Sequence, residues 1–113
     1  MITDNAKAQI ADFLKTLINN GSGKLGVGGN TTSPLALDLD VEVATVSPIA
    51  EKTGENVIQV MLEEIGSNIP SKLIREMGVF DTNGNMLDRV NFEAVGPFSG
   101  TERIQIFLTV EVE

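Results

Sequence analysis

The sequence predicts a mainly β protein of the α+β class, an antiparallel β-sheet or small β-sandwich with one N-terminal amphipathic helix. Apolar residues recur at helical spacing near the N-terminus, whereas the later chain alternates apolar and polar residues between Gly-, Pro- and Asn-containing breaks. The length of 113 residues allows one domain. We therefore expect a single domain over 1–113, with the helix over 1–21, a glycine-rich strand and loop over 22–39, and a β region over 40–113.

The N-terminal helix is predicted over residues 3–20. Thr3 or Asp4 precedes the helical pattern and can cap its first amides. One apolar stripe recurs at helical spacing and should face the core: Ala6, Ile10, Phe13, Leu14, Leu17 and Ile18. Gly21 follows the last apolar turn, so we expect it to end the helix in the left-handed conformation.

A glycine-rich segment follows the helix over 21–30. Its first six residues match the Gly-x-Gly-x-x-Gly pattern of dinucleotide-binding loops, but such a loop follows a strand and opens a helix. Here a helix comes first, so we interpret the pattern as a helix end and flexible connector, with a short strand over 24–27. A loop over 31–34 follows, and 35–39 is either irregular or one helical turn.

The first long strands are predicted over 40–47 and 56–64. Pro48 should end the first strand or place it at a sheet edge, and 51–55 is predicted to be a turn. The second strand directs three alternate apolar residues inward: Ile58, Val60 and Leu62. A break over 67–71, which contains proline, separates these strands from the rest.

A β-hairpin is predicted from strands over 73–80 and 86–95. The residues between them include Asn83-Gly84, a strong hairpin-turn signal when it lies between apolar runs. The segment that begins at Asp81 also resembles the front of a calcium loop. In an EF-hand, however, glycine is sixth and glutamate twelfth, whereas here glycine is fourth and the twelfth residue is Phe92. We therefore predict a hairpin turn that binds no metal needed for folding; the pattern leaves open a weak, adventitious cation site.

The final strand has the clearest alternation in the chain. Its inward face is predicted to carry Ile104, Ile106, Leu108, Val110 and Val112, and its outward face Arg103, Gln105, Thr109, Glu111 and Glu113. Phe107 is an aromatic residue on the otherwise polar face. We predict that this strand is internal to its sheet and central to the core.

Glu76 lies on the same predicted strand face as Ile74, Gly78 and Phe80. If that face is buried, the carboxylate must find donors, either backbone amides or an arginine such as Arg89. If the face is open at this point, or the strand bulges near Gly78, the carboxylate is solvated. The sequence leaves both interpretations open, and both are structural.

Composition excludes several classes of function. The formal net charge is −8 and the chain has only eight Lys and Arg, so we expect no nucleic-acid partner and no anionic membrane partner. The chain has no His and no Cys, which removes the commonest general base and the commonest transition-metal ligands. The first residues lack a basic region followed by an apolar run, so we expect no secretory signal.

The remaining chemistry is that of carboxylates. The closest pairs are Glu63 with Glu64, Asp38 with Asp40, and Glu111 with Glu113. Adjacent strand residues point to opposite faces, and the last pair lies at a terminus, so these residues fit a solvated polar surface better than a catalytic pair. We therefore expect no enzyme activity, no cofactor, no metal and no small-molecule substrate.

Two parts of the chain resemble a known family. After the helix, 24–34 reads Lys-Leu-Gly-Val-Gly-Gly-Asn-Thr-Thr-Ser-Pro, and 73–89 contains Ile-Arg-Glu-Met-Gly-Val-Phe-Asp, then Asn-Gly-Asn, then Met-Leu-Asp-Arg. This order resembles small tail-fibre and tail-collar-like structural proteins of tailed phages. In those proteins a helix leads into a strand with a Gly-x-Gly-x-Thr-like loop, and an Ile-x-Glu-x-Gly-[Leu/Val]-Phe-Asp…Gly…Leu-x-Arg hairpin follows.

The resemblance implies a β-rich virion module without catalytic residues, made in the host cytoplasm and associated with the tail or fibre. Its partners would be itself, as a homo-oligomer, or other virion proteins. A free-standing module that binds a peptide or a sugar is the alternative, although the chain lacks the Trp and Tyr that sugar sites favour. The candidate contact residues are Leu25, Val27 and Asn30 in the glycine-rich segment and Phe107 on the last strand.

Overall fold

The computed structural model describes residues 1–28, 42–69 and 73–113, without the side chains of residues 42 and 43. The elements, in chain order, are α1 (Asp4–Asn20), β1 (Ser22–Gly26), β2 (Glu42–Val46), β3 (Ile49–Gly54), β4 (Val57–Ile65), a 3₁₀ turn (Gly66–Asn68), β5 (Ile74–Phe80), β6 (Met86–Val95) and β7 (Arg103–Glu111). The loop predicted over 31–34, the segment 35–39 and Asn30 lie outside the described residues.

The seven strands form two antiparallel sheets. One sheet has the order β2-β1-β5-β6 and the other β3-β4-β7. Both sheets contribute to one hydrophobic core, in which Leu25 of β1 and Met77 of β5 join Ile58 and Val60 of β4. The mainly β class with one N-terminal helix is therefore confirmed, and the two sheets share one packed interior.

Helix α1 begins at the predicted cap, but only part of the predicted apolar stripe, including Leu14 and Ile18, faces the core. The Thr3 hydroxyl accepts a hydrogen bond from the Ala6 amide at 3.1 Å. Ala11 and Ile18 are buried, whereas Phe13, in the predicted stripe, is 64% exposed. Ile10 is also exposed. The buried face of the helix is therefore centred on Ala11 and Ile18, and Ile10 and Phe13 lie outside it.

The helix covers the outer edge of β3. The side-chain amide of Asn19 makes the two hydrogen bonds that a neighbouring strand would make to Ala50. Its Nδ2 donates to the Ala50 carbonyl at 3.0 Å, and its Oδ1 accepts from the Ala50 amide at 2.7 Å. Two residues further along β3, Lys52 Nζ lies 3.1 Å from the carboxylate of Asp12. An edge strand that would otherwise offer unpaired amides is thereby protected.

Strand β1 (Ser22–Gly26) overlaps the short strand predicted over 24–27 and takes in glycines that were predicted to form a flexible connector. It pairs with both β2 and β5, so the glycine pattern lies inside a sheet. Gly21 is also not left-handed, because its φ is −96°. Glycine is required at position 21 for a different reason, because a Cβ there would overlap the Phe80 carbonyl oxygen. At Gly23 a Cβ would overlap the side chain of Leu62, which shows how closely the two sheets approach.

Strand β3 occupies most of the segment predicted to be a turn. The prediction of a turn over 51–55 is wrong, because β3 continues to Gly54 and the reversal uses only Glu55 and Asn56. As an edge strand, β3 fully buries just one side chain, Ala50. Its sequence therefore lacks the apolar alternation from which a strand is recognised.

The final strand has the predicted faces but not the predicted neighbours. Ile104 and Leu108 are buried, and the opposite face from Arg103 to Glu111 is exposed. Strand β7 is an edge, however, because β4 is its one neighbour among the described strands. The prediction that β7 is internal to its sheet is therefore wrong: alternation reports a buried face and carries no information on how many strands flank it.

The β5–β6 hairpin forms as predicted. The Asp81 amide donates to the Asn85 carbonyl at 2.9 Å, and Gly84 takes a left-handed φ of +80°. Oδ1 of Asp81 accepts from the amides of Asn83 and Asn85, both at 2.9 Å. These hydrogen bonds lower the pKa of Asp81 below its ordinary value, and the bond from the Asn85 amide has the largest effect.

We expect Gly21→Ala to lower the free energy of unfolding by about 1–3 kcal/mol, as overpacking of a rigid site does. The clash is with backbone, which cannot rotate away as a side chain can. Urea denaturation measures the effect. Gly54→Ala is the matched control, because a Cβ there makes an ordinary 3.6 Å contact with Val57. Equal stability of the two variants would contradict the close approach at Gly21.

We expect Asp81→Ala to destabilise the protein at neutral pH by removing the acceptor that organises the turn. A carboxyl group whose pKa is lowered by folding stabilises above its unfolded value, and this contribution is lost as pH falls through the lowered pKa. The difference between parent and variant should therefore shrink in strong acid. Urea unfolding at neutral and acidic pH measures it, with Thr82→Ala in the same turn as control. A pH-independent difference would refute the electrostatic origin.

Candidate functional site

Three apolar side chains form a continuous line across the outer face of the β3-β4-β7 sheet. Ile49 pairs in register with Met61, and Met61 pairs with Phe107. Paired residues in an antiparallel sheet project from the same face, so the three side chains lie side by side. Ile49 and Phe107 are 51% and 53% exposed. We refer to Ile49, Met61 and Phe107 as the apolar row.

Polar residues flank the apolar row. Glu51 and Gln59 form the next register pair on the same face, and with the apolar row they line a shallow depression of about 220 Å³. On the other side, Arg103 Nη1 donates to Glu63 Oε1 at 3.1 Å across the sheet. An apolar strip with a polar rim is the usual composition of a protein contact surface.

The candidate contact residues have different positions in the fold. Phe107 is exposed, as its place on the polar face of β7 predicted. Leu25 is fully buried in the shared core, so its assignment as a surface contact is wrong: it points from β1 toward the other sheet. Val27 is partly buried and packs against the core. Asn30 lies outside the described residues.

Glu76 is the buried charged residue of the described chain. Its side chain is fully buried, and Oε1 lies 3.3 Å from Arg89 Nη2. Its Oε2 accepts from the Gly28 amide at 2.6 Å. The same guanidinium donates to Asn91 Oδ1 at 2.8 Å. The structure therefore agrees with a buried carboxylate held by a backbone amide and Arg89, and β5 has no register shift at Gly78.

The residues near this ion pair are arranged for structure. Glu76 lies on the opposite face of β5 from Met77 and Val79, which fill the shared core. Beside the ion pair, burial raises the pKa of Asp88, and a hydrogen bond from the Arg89 amide at 2.8 Å partly offsets this effect.

The described residues contain no group of three or more Asp, Glu, His or Cys positioned to hold a metal ion. Within the same parts of the chain, no helix is both long enough and apolar enough to cross a membrane. No protein-family model matches the chain, and a search of curated proteins gives no match.

Sequence reasoning found one member of the apolar row and missed two. Met61 lies between the inward-facing residues Val60 and Leu62, so its side chain faces outward. An apolar residue at an outward position could have been recognised from the sequence as a candidate contact residue. The outward position of Ile49 could not be predicted in this way, because Ile49 follows Pro48 and precedes a segment that resembles a turn. The register that aligns it with Met61 and Phe107 depends on tertiary pairing.

We expect Arg89→Met to lower the free energy of unfolding by about 3–5 kcal/mol, because it removes the Arg89 guanidinium from the buried Glu76 carboxylate. Lys52→Met is the matched control: it breaks the pair with Asp12, whose side chain is 63% exposed. Exposed pairs contribute about 0–1 kcal/mol. Urea unfolding at one protein concentration compares the two variants. Similar losses would contradict the structural importance of the buried pair.

Proposed function

We propose that this protein is a non-catalytic structural or assembly component of a phage virion, associated with the tail or fibre. The observation that carries the proposal is the apolar row, which exposes Ile49 and Phe107 on the outer face of the β3-β4-β7 sheet. A protein that works through assembly needs a contact surface of this composition.

The resemblance to phage tail proteins adds a second support. The residues that carry its strongest part meet in one physical unit, the β5–β6 hairpin. Glu76 and Arg89 form the buried ion pair, and Gly78 pairs in register with Arg89. Phe80 is buried beneath Lys24, whose Nζ lies 4.4 Å from the ring centroid. These residues build a scaffold, as the assembly role requires, and leave the contacts to the apolar row.

We expect the chain to be a regular component of virions produced from the genome that encodes it, detectable by mass spectrometry of purified particles. Phe107→Ser should reduce its incorporation, because it removes the largest side chain of the apolar row. Phe13→Ser is the matched control, since Phe13 is an exposed phenylalanine on the helix. Absence from particles would overturn the assignment. Loss of incorporation in the control alone would move the contact surface to the helix.

A further inference from the structure

The edges of the two sheets are protected unequally. The edge at β3 is covered by α1 through Asn19. The described edge strand β2 has five residues, and the pairing of β6 with β5 shifts register twice. Short length, covering elements and bulges are the devices by which edge strands avoid pairing with another chain.

Among the described residues, strand β7 shows none of these devices. It is nine residues long and pairs with β4 through an unbroken register from Val57–Glu111 to Ile65–Arg103. No described strand lies on its other side. Between its charged ends it contains no Pro, Gly or Lys. Uncharged β-forming segments of this length are strongly prone to pair with a further strand.

The hydrogen-bonding groups of the open edge are identified by the ladder on the closed side. The Val112 amide donates to Asn56, and the Glu102 carbonyl accepts from Gly66, both on the β4 side. Direction alternates along an antiparallel strand, so even-numbered residues of β7 bond to β4. The odd-numbered residues direct their amides and carbonyls to the open edge: Arg103, Gln105, Phe107, Thr109 and Glu111.

We infer that β7 is a self-association edge, on which a second copy of this chain pairs antiparallel about a two-fold axis at Phe107. In that register β7 overlaps its copy over its whole length. Arg103 lies opposite Glu111 of the second copy, Gln105 opposite Thr109, and Phe107 opposite its own equivalent. The outward groups of both strands form about ten hydrogen bonds, the number of a typical interface.

Charge and apolar contact both favour this register. Two symmetric Arg–Glu pairs form at the ends of the paired strands, and cross-strand pairs of opposite charge are favourable. On the outer face, the apolar rows of the two copies join end to end through Phe107. The result is a six-stranded sheet with one apolar line from Ile49 to Ile49 of the second copy. A partner of different sequence would not be matched to this strand by symmetry.

The second copy of the chain is a partner in the assembly role proposed above, and the inference rests on that role. The self-association at β7 is nevertheless tested on the purified chain alone. The measurement is sedimentation at tens of micromolar protein in about 0.15 M salt. At this ionic strength the Debye length is about 8 Å, so the salt screens repulsion between the acidic copies. We expect a dimer. A monomer throughout this range would overturn the inference, whereas the virion analysis would still decide the assembly role.

The register is tested by thiol cross-linking, for which the chain offers a clean background because it has no cysteine. A mixture of Gln105→Cys and Thr109→Cys should form the heterodimeric disulfide under mild oxidation, since hydrogen-bonded antiparallel pairs have Cα atoms about 5.5 Å apart. Each variant alone should not, because four residues along a strand separate like positions by about 14 Å. Cross-linking of either variant alone, with no heterodimeric disulfide in the mixture, would refute the register.

Two further variants separate edge pairing from folding. Gln105→Pro removes an amide that faces the open edge and spares the β4 ladder, so it should abolish the dimer, whereas Gln105→Ala should keep it.

If the proline variant fails to fold, Glu111→Arg replaces it by placing an arginine opposite Arg103 of the second copy. We expect about tenfold weaker dimerisation. Glu93→Arg on β6 makes the same charge change and should have no effect; equal weakening by both would contradict the edge.

Discussion

The buried carboxylate of Glu76 is the interaction on which the arrangement of the larger sheet depends. A charge inside a protein is tolerated only when donors surround it, and here they come from the chain beyond β1 and from β6. Strand β5 lies between these strands, so satisfying one carboxylate aligns all three. Apolar substitutes for such a pair are often no less stable. The pair links β5 to β6 in a register in which Gly78 lies opposite Arg89.

Much of the fold was predictable because local patterns record it. The Thr3 cap, the inward face of β4 and the Asn83-Gly84 hairpin each depend on residues close in sequence. Features that depend on distant partners were not recorded locally. The helix buries Ala11 and leaves Phe13 exposed, and β7 is an edge because no further described strand pairs with it. A period of two reveals that one face is buried, but it cannot reveal the number of neighbours.

The same distinction explains which parts of the candidate site were found. Phe107 interrupts a polar face, so its exposure followed from one strand alone. Leu25 was misassigned because the glycines around it suggested a flexible segment, whereas Gly23 is required for the close contact of β1 with Leu62. Ile49 joins the site only through its pairing with Met61. A surface that spans three strands becomes visible when the register is known, and register is the property that single-strand patterns specify least.

The unequal edges of the smaller sheet also determine what kind of assembly it can build. Pairing through β7 consumes the open edge of each copy, and the edge at β3 is already occupied by Asn19 of the helix. A sheet joined at β7 would have β3 at both of its outer edges, each covered by α1 through the Asn19–Ala50 hydrogen bonds. Isologous contacts close in this way, whereas heterologous contacts propagate into fibres. In the inferred dimer, the placement of α1 on the β3 edge would thus favour a closed two-fold unit, whose joined apolar rows would present a longer contact surface than either copy does alone.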